Sequence, residues 1–330
     1  MKVKLKEICQ IEKGKQIDTS KLNNDNSYKY INGGIKESGF YSEYNTEGET
    51  ILVSEGGASC GYVNYISEKF WCGCHCYRLT NCVYYPKYIY YALKGNQDKI
   101  MALRTGAAMP NIKKTTFQDL EIKVNENIEH QQRIAIELDT IQSTIDNKQQ
   151  QLKELDELVK SRFIEMFGNK NFPTQKWDSV FITKTGKLDS NAMVEGGRYP
   201  FFTCAKEIFS IDNYAFDQEA LLLAGNNAAG KYDVKYYKGK FNAYQRTYVL
   251  SLKEDWSYRL FQFQLEDKLL YLKEQSKGIN TKFLTLKILQ ELEFIIPPKE
   301  LQLKFETFVQ QIDKSKFASE QFMDLCYNII

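Results

Sequence analysis

Two long stretches of the chain carry apolar side chains at alternating spacings of four and three residues. Polar residues fill the positions between them, and the stripe is interrupted at Lys148 in the first stretch and at Lys316 and Ser319 in the second. A stripe this narrow predicts two helices of the coiled-coil type. The apolar positions are Ile134, Leu138, Ile141, Ile145, Leu152, Leu155 and Val159 in the first stretch, and Phe305, Val309, Ile312, Met323, Cys326 and Ile330 in the second.

The ends of both helices follow from their flanking residues. Asn127 or Asn125 can cap the first helix, and Pro298 suits the first turn of the second. The first helix is predicted to run from residue 128 to about residue 167, roughly 60 Å at the helical rise. Residues 168–173 then break the pattern and mark a domain boundary. Two matching helices in one chain are natural partners, although each could instead pack on its own globular domain.

The segments outside the helices form an internal repeat with a period of about 170 residues. Matched segments recur in the same order at a nearly constant offset, which chance does not explain. The pairs are residues 49–53 with 219–223, 56–61 with 225–230, 62–65 with 232–237, 71–79 with 241–250, 88–93 with 258–263, 106–112 with 278–284, and 120–124 with 292–296.

Each repeated part is predicted to be a mixed α/β domain. Short alternating runs with turn residues predict a curved sheet, and residues 86–102 predict a helix beside it. The predicted fold is therefore α/β (mixed α+β), with two similar globular domains, residues 1–127 and 169–297. They are separated by two long helices, residues 128–168 and 298–330, which form an antiparallel coiled coil in a pseudo-two-fold repeat.

Composition restricts the class of protein. Of the 330 residues, 43% are hydrophobic and 26% are charged, as in a folded globular protein rather than a disordered one. No apolar run is long enough to cross a bilayer, and the charged start lacks the apolar part of a signal peptide, so we expect a cytoplasmic protein. The eight cysteines should then be reduced. The net charge of +2 does not indicate nucleic acid, so that argument depends on local patches.

Several segments resemble the specificity subunits of type I restriction–modification enzymes. They are the Gly-rich turn after a hydrophobic strand, residues 106–112, the helix opening at 129–135 and the helix end at 152–168. The resemblance covers the whole chain and depends on the order and duplication of these segments rather than on one motif. The second half departs from the pattern, because residues 278–284 lack the proline and residues 298–304 form a looser helix opening. The chain also stops before the helix end is repeated.

The resemblance implies a division of labour. Each globular part is a target-recognition domain that binds one half of a split site in double-stranded DNA. The helices fix the gap between the half-sites and bind two methyltransferase subunits, which methylate adenine with S-adenosylmethionine. Restriction subunits, where present, cut DNA with ATP and Mg²⁺. The chain itself is expected to hold no cofactor and to be non-catalytic.

Residues 231–246 give the strongest local signal for nucleic acid, with five basic residues and one acidic residue. Alternation predicts a hairpin that turns at Lys238 and Gly239 and directs its lysines toward phosphates. Arg suits guanine edges, and Asn or Gln suits adenine edges. A solvated hairpin without DNA contact is the alternative. The candidate DNA-binding residues are Lys231, Lys235, Lys238, Lys240, Asn242, Gln245 and Arg246.

The first domain offers analogous but less concentrated candidates, because its expected hairpin at residues 62–71 is far less basic. Glycines in the repeated turns would let the backbone approach DNA closely, or would only permit tight turns. The basic candidates are Arg78, Arg104, Lys113 and Lys114, and the glycines are Gly56, Gly57, Gly225 and Gly230.

Other motifs indicate little chemistry. Cys72, Cys74 and Cys76 would share one face of a strand, but zinc sites usually need wider gaps and a second pair, so a core of buried thiols is favoured and no metal is expected. Residues 225–231 nearly spell a phosphate-binding loop, but Tyr232 stands where Ser or Thr is needed. The function predicted is DNA recognition within a restriction–modification complex. The alternatives are a subunit of a related restriction enzyme, a zinc enzyme using the cysteines, and a scaffold without DNA contact.

Overall fold

The computed structural model describes residues 1–23, 25, 27–106, 108–168, 170–228, 230–278 and 280–329. The chain divides into two compact units. The first unit comprises Met1–Gln150 with Glu320–Ile330, and the second comprises Gln151–Ser319. The two long helices therefore each contribute to both units.

The first half of the chain alternates short strands with short helices and ends in one long helix. Its elements are β1 (Lys2–Lys4), α1 (Leu5–Ile8), β2 (Gln10–Lys13), β3 (Tyr28–Ile31), β4 (Gly39–Tyr41), β5 (Thr50–Ser54), β6 (Val63–Ile66), β7 (Phe70–Cys72), β8 (Cys76–Thr80), α2 (Pro86–Lys94), α3 (Gln97–Ala102), α4 (Lys114–Gln118), β9 (Glu121–Lys123) and α5 (Ile128–Phe163).

The second half follows the same order after a π-helical turn, Ile164–Gly168, at the end of α5. Its elements are β10 (Thr174–Lys176), α6 (Trp177–Val180), β11 (Phe181–Thr185), β12 (Tyr199–Phe202), β13 (Phe209–Ile211), β14 (Phe216–Ala224), β15 (Asn226–Asn227), β16 (Val234–Ala243), β17 (Thr247–Leu252), α7 (Tyr258–Asp267), α8 (Leu269–Gln275), β18 (Lys282–Phe283), α9 (Leu286–Gln290), β19 (Glu293–Ile295) and α10 (Lys299–Tyr327). We refer to β1 through β9 as the first domain and to β10 through β19 as the second domain.

Both domains have the same sheet topology. In the first, β2, β8, β5 and β6 form one sheet in that order, and β4, β3 and β7 form another, with β3 parallel to β7. In the second, a single sheet runs β11, β17, β14, β16, β12 and β13. The long strand β16 takes the places of both β6 and β7, and it is likewise parallel to β12. The predicted internal repeat is confirmed.

The strand register confirms the alignment of the halves in their central strands, but it places Glu55, and not Gly56, at the position equivalent to Gly225. Val53 lies opposite Tyr77 in the first domain, and Leu223 lies opposite Tyr248 in the second. The first and last strands of each domain also pair, β1 with β9 and β10 with β19. The residue after each opening strand then donates its backbone N–H to a leucine carbonyl at 3.1 Å: Leu5 to Leu120, and Trp177 to Leu292.

The cores of the two domains lie between the inner sheet face and the short helices. Apolar side chains placed at alternate strand positions reach this face together, which removes them from water. The first core includes Leu5, Ile51, Val53, Val63, Ile89, Leu93, Ile100 and Phe117. The second includes Trp177, Phe181, Leu221, Leu223, Leu250, Phe261, Leu265 and Phe294.

The helix ends use the residues that sequence analysis proposed. Asn127 is the cap of α5, because its Oδ1 accepts the backbone N–H of His130 at 2.9 Å. The carbonyl of Pro298 accepts the N–H of Leu301 at 2.9 Å as α10 begins. The predicted helix at residues 86–102 is partly wrong. It breaks into α2 and α3 at Gly95 and Asn96, both poor helix formers.

The two long helices pair in antiparallel fashion. In the second unit, Val159 packs with Val309 and Ile312, and the ring of Phe163 lies 5.8 Å from that of Phe305. Residue numbers therefore decrease along α10 in the direction in which they increase along α5. This end of α5 also contacts the second domain, since the Phe163 ring lies 4.6 Å from that of Phe263.

Polar contacts lie along the same seam. Lys316 forms an ion pair with Asp156 in the second unit. In the first unit, Gln149 Nε2 donates to Tyr327 Oη at 2.7 Å, and Ile145, Met323 and Cys326 are buried. Ile330, which was assigned to the seam, lies outside the described residues. Of the helices in the described part of the chain, none is long and apolar enough to cross a membrane.

Candidate nucleic-acid interface

The Gly-rich turn of each domain lies against the loop that precedes its last short helix. In the first domain, Gly57 N–H donates to the carbonyl of Pro110 at 3.0 Å, and Gly56 forms a β-bridge with Asn111. In the second, β15 pairs with β18, which places Asn227 opposite Lys282. Two segments about 55 residues apart in sequence thus form one loop surface in each domain.

A tyrosine ties this loop surface to the sheet in both domains, buried in the first and half-buried in the second. Tyr77 Oη donates to the carbonyl of Ile112 at 3.0 Å, and Tyr248 Oη donates to the carbonyl of Leu284 at 3.0 Å. Burial raises the pKa of both phenols, so each stays protonated and able to donate. The two tyrosines hold equivalent loops by equivalent bonds.

The turn before the last central strand of each sheet completes the surface. In the first domain, the backbone carbonyl of His75 accepts the N–H of Glu55 at 2.8 Å. In the second, the backbone carbonyl of Arg246 accepts the N–H of Gly225 at the same distance. A Cβ atom at Gly225 would lie 2.3 Å from the Arg246 carbonyl oxygen, so packing within the domain requires glycine there. Close approach to DNA is therefore not needed to explain Gly225.

Gly57 and Gly230 differ from Gly225 in their surroundings. Gly57 has a φ of +80°, and a Cβ atom added there would meet nothing within 4 Å, so its backbone faces open space. Gly230 has a φ of +65°, which favours glycine, and is flanked by Lys273 and Lys282. In the first domain the surface encloses a cleft of about 570 Å³ that Gly57, His75 and Asn111 help to line.

The second domain carries a group of basic side chains on this surface, which we call the basic loop cluster: Lys231, Arg246, Lys273, Lys277 and Lys282. The Cγ atoms of Lys273 and Lys282 lie 3.1 and 3.5 Å from the position that a Cβ atom would take at Gly230. The backbone of Lys277 pairs with that of Phe283. Within the described ranges, none of the five forms an ion pair, and four are exposed, with Lys282 half-buried. Unpaired cations held on loops can contact phosphates directly.

The expected hairpin at Lys238 and Gly239 is wrong. Residues 234–243 form the single strand β16, in which Gly239 lies opposite Gln218 of β14. Alternation is the same in a hairpin and in one long strand, and the glycine was read as a turn although a strand can contain it. The expected hairpin at residues 62–71 is also wrong, because its two strands pair with other strands, β6 with β5 and β7 with β3, rather than with each other.

The lysines of β16 are largely engaged within the domain. Lys235 Nζ donates to the carbonyl of Ala205 at 2.8 Å and forms an ion pair with Asp233. Lys238 Nζ lies 3.1 Å from Glu219 Oε2, and Lys240 Nζ lies 4.8 Å above the ring of Tyr214. The local excess of positive charge is thus reduced by acidic partners on neighbouring positions.

The type I restriction modification DNA specificity domain matches residues 1–157 and again residues 169–322. The chain belongs to this family. Its function is that of a type I specificity subunit, the component that determines which DNA target is recognised. The two matches coincide with the two halves that share one topology.

Similar proteins carry the same description. A putative type I specificity subunit of Mycoplasma pneumoniae is 29% identical over 336 residues, which cover 93% of this chain and 88% of the relative. The EcoDI specificity subunit of Escherichia coli is 38% identical over 158 residues, 46% of this chain and 34% of that protein. The crystal structure of a type I S subunit from Mycoplasma genitalium superposes with a TM-score of 0.72 at 22% identity, covering 100% of this chain and 93% of that one. This superposition shows that the two proteins share a fold.

Two of the predicted DNA-binding residues of this specificity subunit, Asn242 and Arg78, have partners within their own domains. Asn242 is 4% exposed and its Nδ2 donates to Asn213 Oδ1 at 2.8 Å, so it does not reach a base edge. Arg78 bonds Glu12 through Nε at 3.0 Å and the carbonyl of Asn45 through Nη1 at 2.6 Å. The base contact predicted for Asn242 is wrong, because its side chain is turned toward a neighbouring loop and buried. Arg78, whose side chain is 18% exposed, is engaged within its own domain.

The remaining candidates are placed as follows. Arg104 Nε donates to the carbonyl of Cys60 at 2.7 Å and supports the Gly-rich turn. Lys113 and Lys114 are exposed at the start of α4. Gln245 and Arg246 are exposed at the turn between β16 and β17. DNA contact by the four exposed residues stays a prediction.

Cys72, Cys74 and Cys76 were expected to lie on one strand, and this prediction is wrong. β7 ends at Cys72 and β8 begins at Cys76, with a turn between them. Cys72 and Cys76 are buried in a small apolar cluster, where the neighbouring Cys76 thiol and burial raise the pKa of Cys72. Cys74 instead donates to Gln16 Oε1 at 2.8 Å. No group of three or more His, Cys, Asp or Glu in the described part of the chain could hold a metal ion.

Sequence reasoning missed Lys273, Lys277 and Lys282. They follow the basic segment 231–246 by about 30 to 50 residues, so a window centred on that segment excludes them. A signal was nevertheless present, because Lys277 directly precedes the segment that had been aligned with residues 106–112, and Lys282 lies within it.

Proposed function

We propose that the two domains of this specificity subunit each recognise one half of a split site in double-stranded DNA. The loop surfaces described above would contact the two half-sites. The observation that carries the proposal is the equivalence of those surfaces, which are tied to their sheets by Tyr77 in one domain and Tyr248 in the other. One chain that presents the same surface twice is suited to a target with two parts.

The two surfaces differ in charge, which supports different roles in binding. In the first domain, the lysine and the glutamate that line the cleft, Lys13 and Glu55, form an ion pair with each other at 2.6 Å, and the lining also includes Met109, whose side chain is 79% exposed. The second presents the basic loop cluster. Phosphate contacts supply affinity and salt dependence, whereas base edges supply discrimination. We therefore assign most of the salt-dependent affinity to the second domain.

We further propose that α5 and α10 set the gap between the half-sites and bind two methyltransferase subunits, with restriction subunits as further partners. The chemistry belongs to those partners, which would use S-adenosylmethionine for adenine methylation and ATP with Mg²⁺ for cleavage. The specificity subunit itself would be non-catalytic and act in the cytoplasm. Its exposed helical side chains, such as Phe317 at 60% and Leu325 at 66%, support a partner-binding role.

Mapping of methylated adenines tests the proposal. Genomic DNA from cells with and without this gene, each carrying the methyltransferase subunits, would be compared at single-base resolution. We expect methylation that depends on the gene and falls in one motif of two short parts separated by a gap of fixed length. An uninterrupted motif, or no dependence on the gene, would contradict recognition by two surfaces.

A further inference from the structure

One glutamine in each half of the chain is fully enclosed by protein. Gln131 is 0% exposed and Gln302 is 1% exposed. Each lies in the first turn of a long helix, Gln131 in α5 and Gln302 in α10. A glutamine amide carries two donors and an acceptor, so its burial requires partners in defined positions.

Each glutamine joins three segments of the chain. Gln131 Oε1 accepts the backbone N–H of Tyr85 at 2.9 Å, and its Nε2 donates to the carbonyl of Asn125 at 2.6 Å. Tyr85 directly precedes the domain helix α2, and Asn125 follows β9. The long helix is thus bonded both to a helix of its domain and to the strand that leaves that domain. We call this arrangement a glutamine bridge.

The second half contains the same bridge. Gln302 Oε1 accepts the N–H of Ser257 at 3.0 Å, and its Nε2 donates to the carbonyl of Pro297 at 2.8 Å. Ser257 directly precedes α7, and Pro297 follows β19. The opening of α10 therefore forms an equivalent hydrogen-bonded joint, although its sequence departs from that of the α5 opening.

We propose that the two glutamine bridges fix the angle between each recognition domain and its long helix, and that Gln131 and Gln302 are positioning residues for the spacing of the DNA half-sites. The proposal rests on the proposed function, since spacing matters only if two half-sites are bound together. Other contacts at the first joint meet at Asp139, which forms an ion pair with Lys87 at 3.2 Å and accepts the hydroxyl of Tyr91 at 2.6 Å, and this carboxylate is 45% exposed. Exposed pairs contribute little rigidity, whereas a buried amide that is hydrogen-bonded at both its oxygen and its nitrogen is held in one geometry.

The required rigidity can be estimated. One base pair extends DNA by about 3.4 Å. A domain of this size has a radius of gyration of about 14 Å. A rotation of about 15° at the joint would move the loops at that radius by about 3.7 Å, one base-pair step. A joint looser than this could not distinguish two spacings that differ by one base pair.

The test uses the full chain in complex with its methyltransferase subunits. Substrates are duplexes that carry both half-sites at the native spacing or at a spacing one base pair shorter or longer. The measured quantity is the ratio of initial adenine methylation rates at native and altered spacing. The bridge variants are Gln131→Leu and Gln302→Leu, and the matched controls are Gln132→Leu and Gln311→Leu, whose wild-type side chains are exposed on the same helices.

We expect each bridge variant to lower the spacing preference by about tenfold, because the buried N–H and carbonyl lose their partner and the joint loosens. The controls should keep the wild-type preference. A Gln131→Met variant, which keeps the length of the side chain, serves if the leucine variant does not fold. A role in stability alone would lower methylation at all spacings in the same proportion and leave the ratio unchanged, which would overturn the proposal. If the wild-type complex itself methylates no split site, the proposed function fails instead.

Discussion

At the residue scale, equivalent positions in the two halves perform the same structural task with different neighbours. Tyr77 Oη also lies 3.1 Å from Glu55 Oε1, whereas the position of Glu55 is taken by Gly225 in the second domain. The hydrogen bond from the tyrosine to the loop is retained, while the residues around the tyrosine differ between the domains. Loop residues can therefore vary in charge without loss of the fold, which is the property that a changeable recognition surface needs.

The basic side chains divide into engaged and exposed groups, and their effects on DNA binding should differ. Replacement of Lys231, Lys277 and Lys282 by alanine should make the negative slope of log affinity against log salt shallower by about 2 to 3. Each phosphate contact contributes about 0.9 to the steepness of that slope. Replacement of Lys235, Lys238 and Lys240 should have a smaller effect, since acidic partners already engage two of them. Binding of a random duplex across a salt series measures both slopes. A larger loss in the second triple variant would place the interface on β16.

Stability should decrease at alkaline pH because buried phenols resist ionisation. Burial raises the pKa of Tyr90 to about 12, above the value of about 10 in unfolded chains. The folded state therefore holds this proton more tightly, and the stability it confers is complete below pH 10 and lost as the pH rises toward 12. The free energy of unfolding by urea at pH 9 and pH 11 should fall less in Tyr90→Phe than in the wild type. Lysine ionisation affects both proteins equally, so an identical fall would contradict the assignment.

At the element scale, the long helices depend on a narrow seam rather than on their own propensity. Phe305 is 0% exposed and packs against Phe163 and Val159. Lys316 interrupts the seam but forms an ion pair with Asp156 of the opposite helix. A polar residue in such a seam stabilises less than an apolar one but favours one register over others.

Two phenylalanines of α10 provide a matched test of the seam. Phe305→Ala should lower the free energy of unfolding by about 3–5 kcal/mol, because it empties a filled site in the core. Phe317→Ala, on the same helix and 60% exposed, should change it by less than about 0.5 kcal/mol. Urea unfolding followed by far-ultraviolet circular dichroism measures both. Equal effects would show that the pairing of α5 with α10 does not stabilise the folded chain.

At the scale of the whole molecule, the proposed function makes the helix pair a determinant of target spacing. Duplication of residues 148–154 in α5 together with residues 316–322 in α10 would add one heptad to each helix and preserve the apolar stripe. Seven residues add about 10.5 Å of helix, or about three base pairs of DNA.

The methylated motif of that insertion variant should keep both half-sites and gain a gap longer by about three base pairs. Single-base mapping of methylated adenines checks this outcome. Duplicating seven residues in the exposed loop around residues 35–38 of the first domain provides a control of equal length that should leave the gap unchanged. An unchanged gap in the helix variant would show that the helix pair does not determine the spacing of the half-sites.

Several features of this protein could be predicted from its sequence. The seam of α5 and α10, the Asn127 cap and the order of the repeated segments all depend on spacing along one stretch of chain. Periodicity is a local property, because the helical repeat alone decides which positions share a face. The alignment of Tyr77 with Tyr248 was correct for a related reason, since each tyrosine follows a buried strand at nearly the same distance along the chain.

Only the tertiary structure decided how distant segments meet. Residues 234–243 form one strand because β14 and β12 flank them along their length, and alternation alone is the same for a hairpin. The roles of Gln131, Asn242 and Lys282 likewise depend on partners that lie 29 to 55 residues away in sequence. A polar side chain is suited equally to water, to DNA or to a buried amide partner. Its role becomes defined only when folding either removes water from it or leaves it exposed.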